Sequence, residues 1–432
     1  MTSPAVARVH AQTPPTRNRT VDFLRAAAII TVVLGHWTIA AVHVSSGAQI
    51  SAHAVLDIAP WTHPLTWVAQ VMPLFFFVGG YANALSWRSA RRKGQPYSGW
   101  LRARLRRLGL PLIPLLACWV GVAAIALAAG ISAQQLHQLS QVALVPTWFL
   151  AAYVLVVATT PACLALWERY GPASIAAGLT LAAVVDTVSI TTGNIYLGYP
   201  NYLIVWASVS MVGFAWLDGR LAGAGRRLAL AALGLTGLTL LVTFGPYPVS
   251  MIGLAGEAVN NSAPTRITMA FLGLAQIGLV LLAEGRLAAL LARPTLWFAV
   301  VMVNRRIMSW YLWHLTVMVA VIAVSFLFLD GFGFHLVPVT GAWWASRLVW
   351  IALLSTLTFL VVLVVGRFES PSPDPRPAGP AWQPIAATVC VCGGLAVMAS
   401  EGIVSDRGLM WFWPTLAIAG MVLFGVVRIP RR

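Results

Sequence analysis

The chain has 432 residues; 59% are hydrophobic, 9% are charged, and the mean hydropathy is +0.81. That balance excludes a soluble globular domain and points to a polytopic helical membrane protein, because several apolar runs reach the roughly 20 residues needed to cross a bilayer. The net charge of +16 raises nucleic acid as a partner. Its distribution argues against one, since the basic residues sit in short loops between apolar runs, where they read as a topology signal.

Residues 1–18 are polar, rich in Pro and Ala, and contain no apolar core. A disordered arm over 1–19 is therefore expected, with no cleavable signal. Twelve spans follow, at about 21–43, 65–86, 108–130, 147–167, 173–190, 200–217, 228–244, 267–284, 307–329, 346–366, 385–400 and 409–427. Under this assignment 25 of the 28 basic residues fall on one side and only Arg266, Arg347 and Arg407 on the other. The asymmetry predicts that both termini are cytoplasmic. The predominance of Arg, with abundant Ala and Gly, suggests a bacterial source, and thus a multi-pass protein of the plasma (inner) membrane.

The first span opens the functional reading. It carries Asp22, Arg25 and His36, where a simple anchor would carry Leu. Arg25 and His36 are eleven residues apart, about 16 Å of helix rise and close to three full turns, so they share a stripe. Asp22 precedes Arg25 at the i, i+3 spacing. Ionisable groups at membrane depth are costly and mark candidate functional sites. An imidazole is the natural group to take a proton from an alcohol near neutral pH. A core histidine bonded to a neighbouring helix is the alternative for His36.

The second span contains Phe75-Phe76-Phe77-Val78-Gly79-Gly80-Tyr81, whose small residues suit close helix packing. A strongly basic connection over 87–107 ends in Arg102, Arg104, Arg106 and Arg107. Arg104 and Arg107 are one turn apart, and guanidinium forks match phosphate oxygens. With Arg25 they would make a receptor for a polyanion such as a nucleotide-bearing cofactor. Positive-inside topology and contact with anionic lipid are the competing reading of the run.

Trp148-Phe149-Leu150 opens the fourth span. Asp186, in the fifth, is a buried acid read as a structural hydrogen-bonding group. The stretch 294–306 is apolar but too short to span; lying in the interface, re-entering, or extending the ninth helix are all open. Tyr311 and His314, at i, i+3 in the ninth span, share a face, and His314 is a candidate for orientation or proton relay.

The outer connections 44–64, 245–266 and 330–345 are the longer irregular ones. The first, with His43 at its edge and His53 and His63 within it, has a histidine spacing that fits no recognised metal site, and no metal is expected. The four cysteines lie in apolar runs and form no disulfide framework. A Pro-rich linker over 368–384 separates ten spans, residues 20–367, from a final pair and basic tail over 385–432.

In order, Asp22-Phe-Leu-Arg25-Ala, Gly35-His36-Trp37, the Phe75–Tyr81 run, Arg104-Leu-Arg-Arg107, Trp148-Phe-Leu and Tyr311-Leu-Trp-His314 resemble the acyltransferase 3 family of bacterial integral-membrane acyltransferases. The likeness covers about residues 20–366. Two departures stand out: Gly79 replaces the family's usual Ser, and the last two spans exceed its ten-helix core. The extracytoplasmic esterase-like domain of some relatives has no counterpart here.

The resemblance implies transfer of an acyl group from acyl-coenzyme A, taken on the cytoplasmic side, to a hydroxyl or amine of a glycan, glycolipid or related small molecule. Carried over by position, His36 is the catalytic imidazole, as general base or as an acylated intermediate, with the general base preferred. Arg25, Arg104 and Arg107 are donor-binding, and Asp22, Tyr311 and His314 are supporting. No permanently bound cofactor is expected; acyl-coenzyme A is a substrate. The expected partners are the lipid bilayer, the donor and the acceptor, and a homo-oligomer is compatible with the sequence. The alternative class is a proton-coupled secondary transporter. The fragment Asp218-Gly-Arg220 echoes a transporter loop motif, but it follows the sixth span rather than the second.

Overall fold

The computed structural model describes residues 4–44, 50–254, 256–369, 379–380 and 382–425. Helix α1 (Pro4–Ala11) is followed by α2 (Arg19–Ile39), which runs into an antiparallel hairpin, β1 (Ala40–Val44) and β2 (Ile50–Ala54). Then come α3 (Met72–Arg92), α4 (Tyr97–Gly109), α5 (Leu112–Ala128), α6 (Ala133–Leu144), α7 (Pro146–Tyr170), α8 (Pro172–Thr192) and α9 (Asn201–Leu217). The remainder is α10 (Ala224–Phe244), α11 (Ile267–Leu282), α12 (Glu284–Leu291), α13 (Pro294–Arg305), α14 (Ile307–Phe328), α15 (Gly341–Val365), α16 (Trp382–Glu401) and α17 (Phe412–Leu423).

Each of the twelve expected spans coincides with a helix. Among the described residues nine helices are long and apolar enough to cross a membrane, or eleven if each of two bent pairs counts as one span. Those pairs are α4 with α5, bent by 44° where Pro111 interrupts the helix, and α11 with α12, bent by 58°. The twelfth, α17, is a shorter apolar helix. The chain is thus an all-α, multi-pass membrane protein.

Two expectations need correction, and the layout of 294–306, left open by the sequence, is defined. The N-terminal arm is not wholly irregular, because α1 forms with Pro4 in its first turn and buries Val6. The helix of the first span stops at Ile39, and Ala40–Val44 is extended, paired with β2 in the register His43↔Ser51. Residues 294–305 form a separate helix, α13, which ends at Arg305 rather than lengthening α14. The Pro-rich linker lies largely outside the described residues, as does the basic tail.

The described chain forms two compact units. The first comprises residues 1–32, 56–88 and 159–305. Its α3 and α9 approach through glycines: a Cβ on Gly80 would fall 2.1 Å from the Ser210 carbonyl oxygen, and one on Gly213 would fall 2.2 Å from that of Phe77. Close approach lets Phe76 stack on Trp206 and Phe77 on Trp216. The fully buried Trp297 of α13 packs with Ala26 and Val9, and its indole N–H donates to Thr13 at 2.7 Å.

Asp186, fully buried, is the polar centre of the first unit. It accepts from Asn201 (2.8 Å), the Ile267 N–H (2.8 Å), Tyr247 (3.2 Å) and Arg266 (3.2 Å). One carboxylate therefore joins α8, α9, the 245–266 connection and the start of α11, the structural role its sequence context suggested.

The second unit comprises residues 33–55, 89–158 and 306–432. Its final helices pack closely, α16 on α17 and α16 on α6. Thr147 and Cys392 tie α7 to α16 by donating to the carbonyls of Leu395 (3.0 Å) and Ala151 (3.4 Å). His137 contacts the Val404 carbonyl at 2.8 Å. The last pair is thus packed into this unit rather than appended to it.

Candidate active site

The centre of the second unit is a pair of imidazoles. His36 lies in the last turn of α2 and His314 in the second turn of α14. Their nearest nitrogens, His36 Nδ1 and His314 Nε2, are 2.8 Å apart. The ring planes differ by 5° and the centroids are 5.1 Å apart. That separation is what two rings joined end to end through a 2.8 Å contact give, so the contact is an in-plane hydrogen bond and not a face-to-face stack.

The proton positions follow from the next link. His314 Nδ1 is 2.6 Å from the backbone carbonyl of Tyr311. A carbonyl only accepts, so Nδ1 of His314 carries the hydrogen. In neutral His314, Nε2 then has the lone pair and accepts from His36 Nδ1–H. Neutral His36 in turn carries its lone pair on Nε2. The chain Tyr311 C=O, His314, His36 thus fixes the tautomer and ring orientation of His36 and presents a basic nitrogen at its end. His314 is fully buried, while His36 is only partly buried. A Cβ on Gly35, the residue before it, would meet nothing within 4 Å.

Three further contacts hold this geometry. Because α2 ends at Ile39, its last carbonyls lack intrahelical donors. The Trp37 carbonyl instead accepts from Trp350 Nε1 at 3.0 Å. The indole of Trp37 donates to the His314 carbonyl at 3.1 Å. Tyr311 donates its hydroxyl to the Pro146 carbonyl at 3.0 Å, and Phe149 packs edge-on against its ring. The supporting part of Tyr311 is therefore its carbonyl, with the phenol anchoring α14 to α7.

Arg104 and Arg107 lie on α4, one turn apart, Arg107 exposed and Arg104 partly buried. The charge of Arg107 acts on Glu369. Glu369 caps α14: it accepts from the backbone N–H groups of Met308 (2.8 Å) and Ser309 (3.1 Å) and from the Ser309 hydroxyl (2.7 Å). The helix that carries His314 is thus fastened at its N-terminus by an acid within reach of the Arg107 charge.

Arg25 and Asp22 belong to the first unit. The expected Asp22–Arg25 pairing is not formed. Asp22 accepts from Arg17 at 2.7 Å and 3.2 Å, and this hydrogen bond holds the Arg17 guanidinium above its ordinary pKa. The spacing favoured Arg25, but Arg17 reaches back from the turn before α2 with its fork aligned on both carboxylate oxygens. Among the described residues Arg25 makes no ion pair, so its charge is not neutralised by Asp22.

Sequence reasoning missed Glu369, placed beyond the core at the edge of the linker, and Trp350, one of several tryptophans in an apolar run. Among the described residues no group of three or more metal-ligating side chains is found.

A bundle of membrane-spanning helices thus holds an oriented, partly buried imidazole pair. Residues 18–367 match the acyltransferase domain of the acyltransferase 3 family, and the chain belongs to that family: it is a membrane acyltransferase. No match was found among curated proteins or among solved structures.

Proposed function

We propose that the chain moves an acetyl or other short acyl group from acyl-coenzyme A, on the cytoplasmic side of a bacterial plasma membrane, to a hydroxyl of an envelope glycan, glycolipid or related small molecule. The observation that carries the reading is the His36–His314–Tyr311 carbonyl chain, which fixes the tautomer of His36 and leaves its Nε2 without a partner among the described residues. In the transfer step His36 Nε2 takes the acceptor proton as the acceptor oxygen attacks the thioester carbonyl. The carbon–sulfur bond then breaks, and the coenzyme A thiolate leaves and takes the proton back from His36. His314 positions the base and spreads the charge of the imidazolium. Arg104 and Arg107 are assigned to the phosphates of the donor, through bidentate guanidinium contacts.

Calorimetric binding of acetyl-coenzyme A to the protein in nanodiscs tests the donor assignment. Each charge-assisted contact contributes about 1.5–3 kcal/mol, so Arg104→Ala with Arg107→Ala should weaken binding about 100-fold or more, while His36→Gln leaves it unchanged. An unaltered affinity in the double Arg variant would return these residues to a topology role.

A further inference from the structure

Arg347 is the single charged residue of the 25-residue helix α15, and it is 6% exposed. Its guanidinium lies 4.2 Å from the ring centroid of Trp343 and 5.4 Å from that of Trp350. Nη1 donates to the Ala40 carbonyl at a long 3.4 Å. Neither Nε nor Nη2 has an acceptor among the described residues, and no carboxylate there pairs with it. Beside it Trp343, 1% exposed, has an indole N–H that also lacks an acceptor among the described residues.

A buried guanidinium without a counter-ion is costly. Two indole faces offset part of that cost, and one long bond to a carbonyl offsets little. The unused Nε–Nη2 edge is the edge that takes a carboxylate or phosphate side-on, by two parallel N–H···O bonds. The Trp343 N–H supplies a further donor from the same helix.

The position gives this edge a purpose. Ala40 is four residues beyond His36, at the point where α2 gives way to β1. Trp350, one turn along from Arg347, is bonded to the Trp37 carbonyl, which locks α15 against the turn that carries His36. Building on the reading of His36 as the base, we infer that Arg347 and Trp343 form an acceptor subsite, and that the acceptor bears a carboxylate or phosphate close to the hydroxyl that is acylated, as in a uronate-containing or phosphorylated glycan.

The test is binding without any acyl donor, so that it reads this subsite whether or not acyl transfer holds. Protein in phosphatidylcholine nanodiscs is titrated with methyl β-glucuronide, glucose 6-phosphate and the neutral methyl β-glucoside. An acidic probe should bind at least about tenfold more tightly than the neutral one, equally in His36→Gln. Arg347→Gln should abolish the preference. Trp343→Phe, which keeps an aromatic face but removes the indole N–H with the pyrrole part of the ring, should reduce it; this variant decides the matter if Arg347→Gln does not fold. No preference in the wild type, or a preference untouched by both variants, overturns the inference. So does Arg347-dependent thermal stabilisation by phosphatidylglycerol in place of the sugars, which would assign the anion to a lipid headgroup.

Discussion

Asp186 and the His36–His314 pair are both ionisable groups set among apolar helices, and they differ in how their hydrogen-bond inventories close. Around Asp186 every direction is answered from within the first unit, by Asn201, Tyr247, Arg266 and the Ile267 N–H. In the second unit, the chain that starts at the Tyr311 carbonyl passes through His314 to His36 and ends on a nitrogen with no partner among the described residues. A polar group enclosed by its own protein holds the fold together. One whose chain of bonds stops at open space is equipped to act on something else.

The contrast is sharpest under substitution. Asp186→Ala leaves Arg266 buried without its partner, and breaking a buried pair costs about 3–5 kcal/mol. Thermal unfolding in detergent should show a large drop in Tm, while protein that remains folded still binds acetyl-coenzyme A. A variant as stable as the wild type would remove Asp186 from its structural role. His314→Phe, which keeps a ring but has no acceptor nitrogen, should show the reverse pattern, with folding retained. Without the imidazole acceptor, His36 loses its fixed tautomer, and kcat should fall on the order of 100-fold with little change in the KM for donor. A matching rise in KM would indicate general damage to the site rather than loss of positioning.

Much of this was legible in the sequence, for a definite reason. Ionisable residues are rare in spans, so Asp22, Arg25, His36, Asp186 and His314 stood out. The 25-to-3 charge asymmetry laid out the spans around them. Partnerships were less legible, because they join residues far apart in the chain. Trp350 reaches Trp37 across 313 positions and Glu369 reaches Met308 across 61. Asp22 had a candidate partner at helical spacing in Arg25, yet the turn before α2 brought Arg17 to it instead. Arg347 was visible only as one of three basic residues on the sparse side. Its two indole neighbours and the Ala40 carbonyl gave it meaning. Short elements such as α1 and α13 were hidden because their periodicity is too brief to separate from a loop or a fragment of a span.

The most direct test of the central claim is the transfer of labelled acetyl from acetyl-coenzyme A into the envelope fraction of cells producing either the wild-type protein or His36→Gln at equal membrane levels. Loss of the general base should lower the rate at least about 100-fold, with donor binding intact. Equal incorporation by the two proteins would contradict the assignment of His36 as the base.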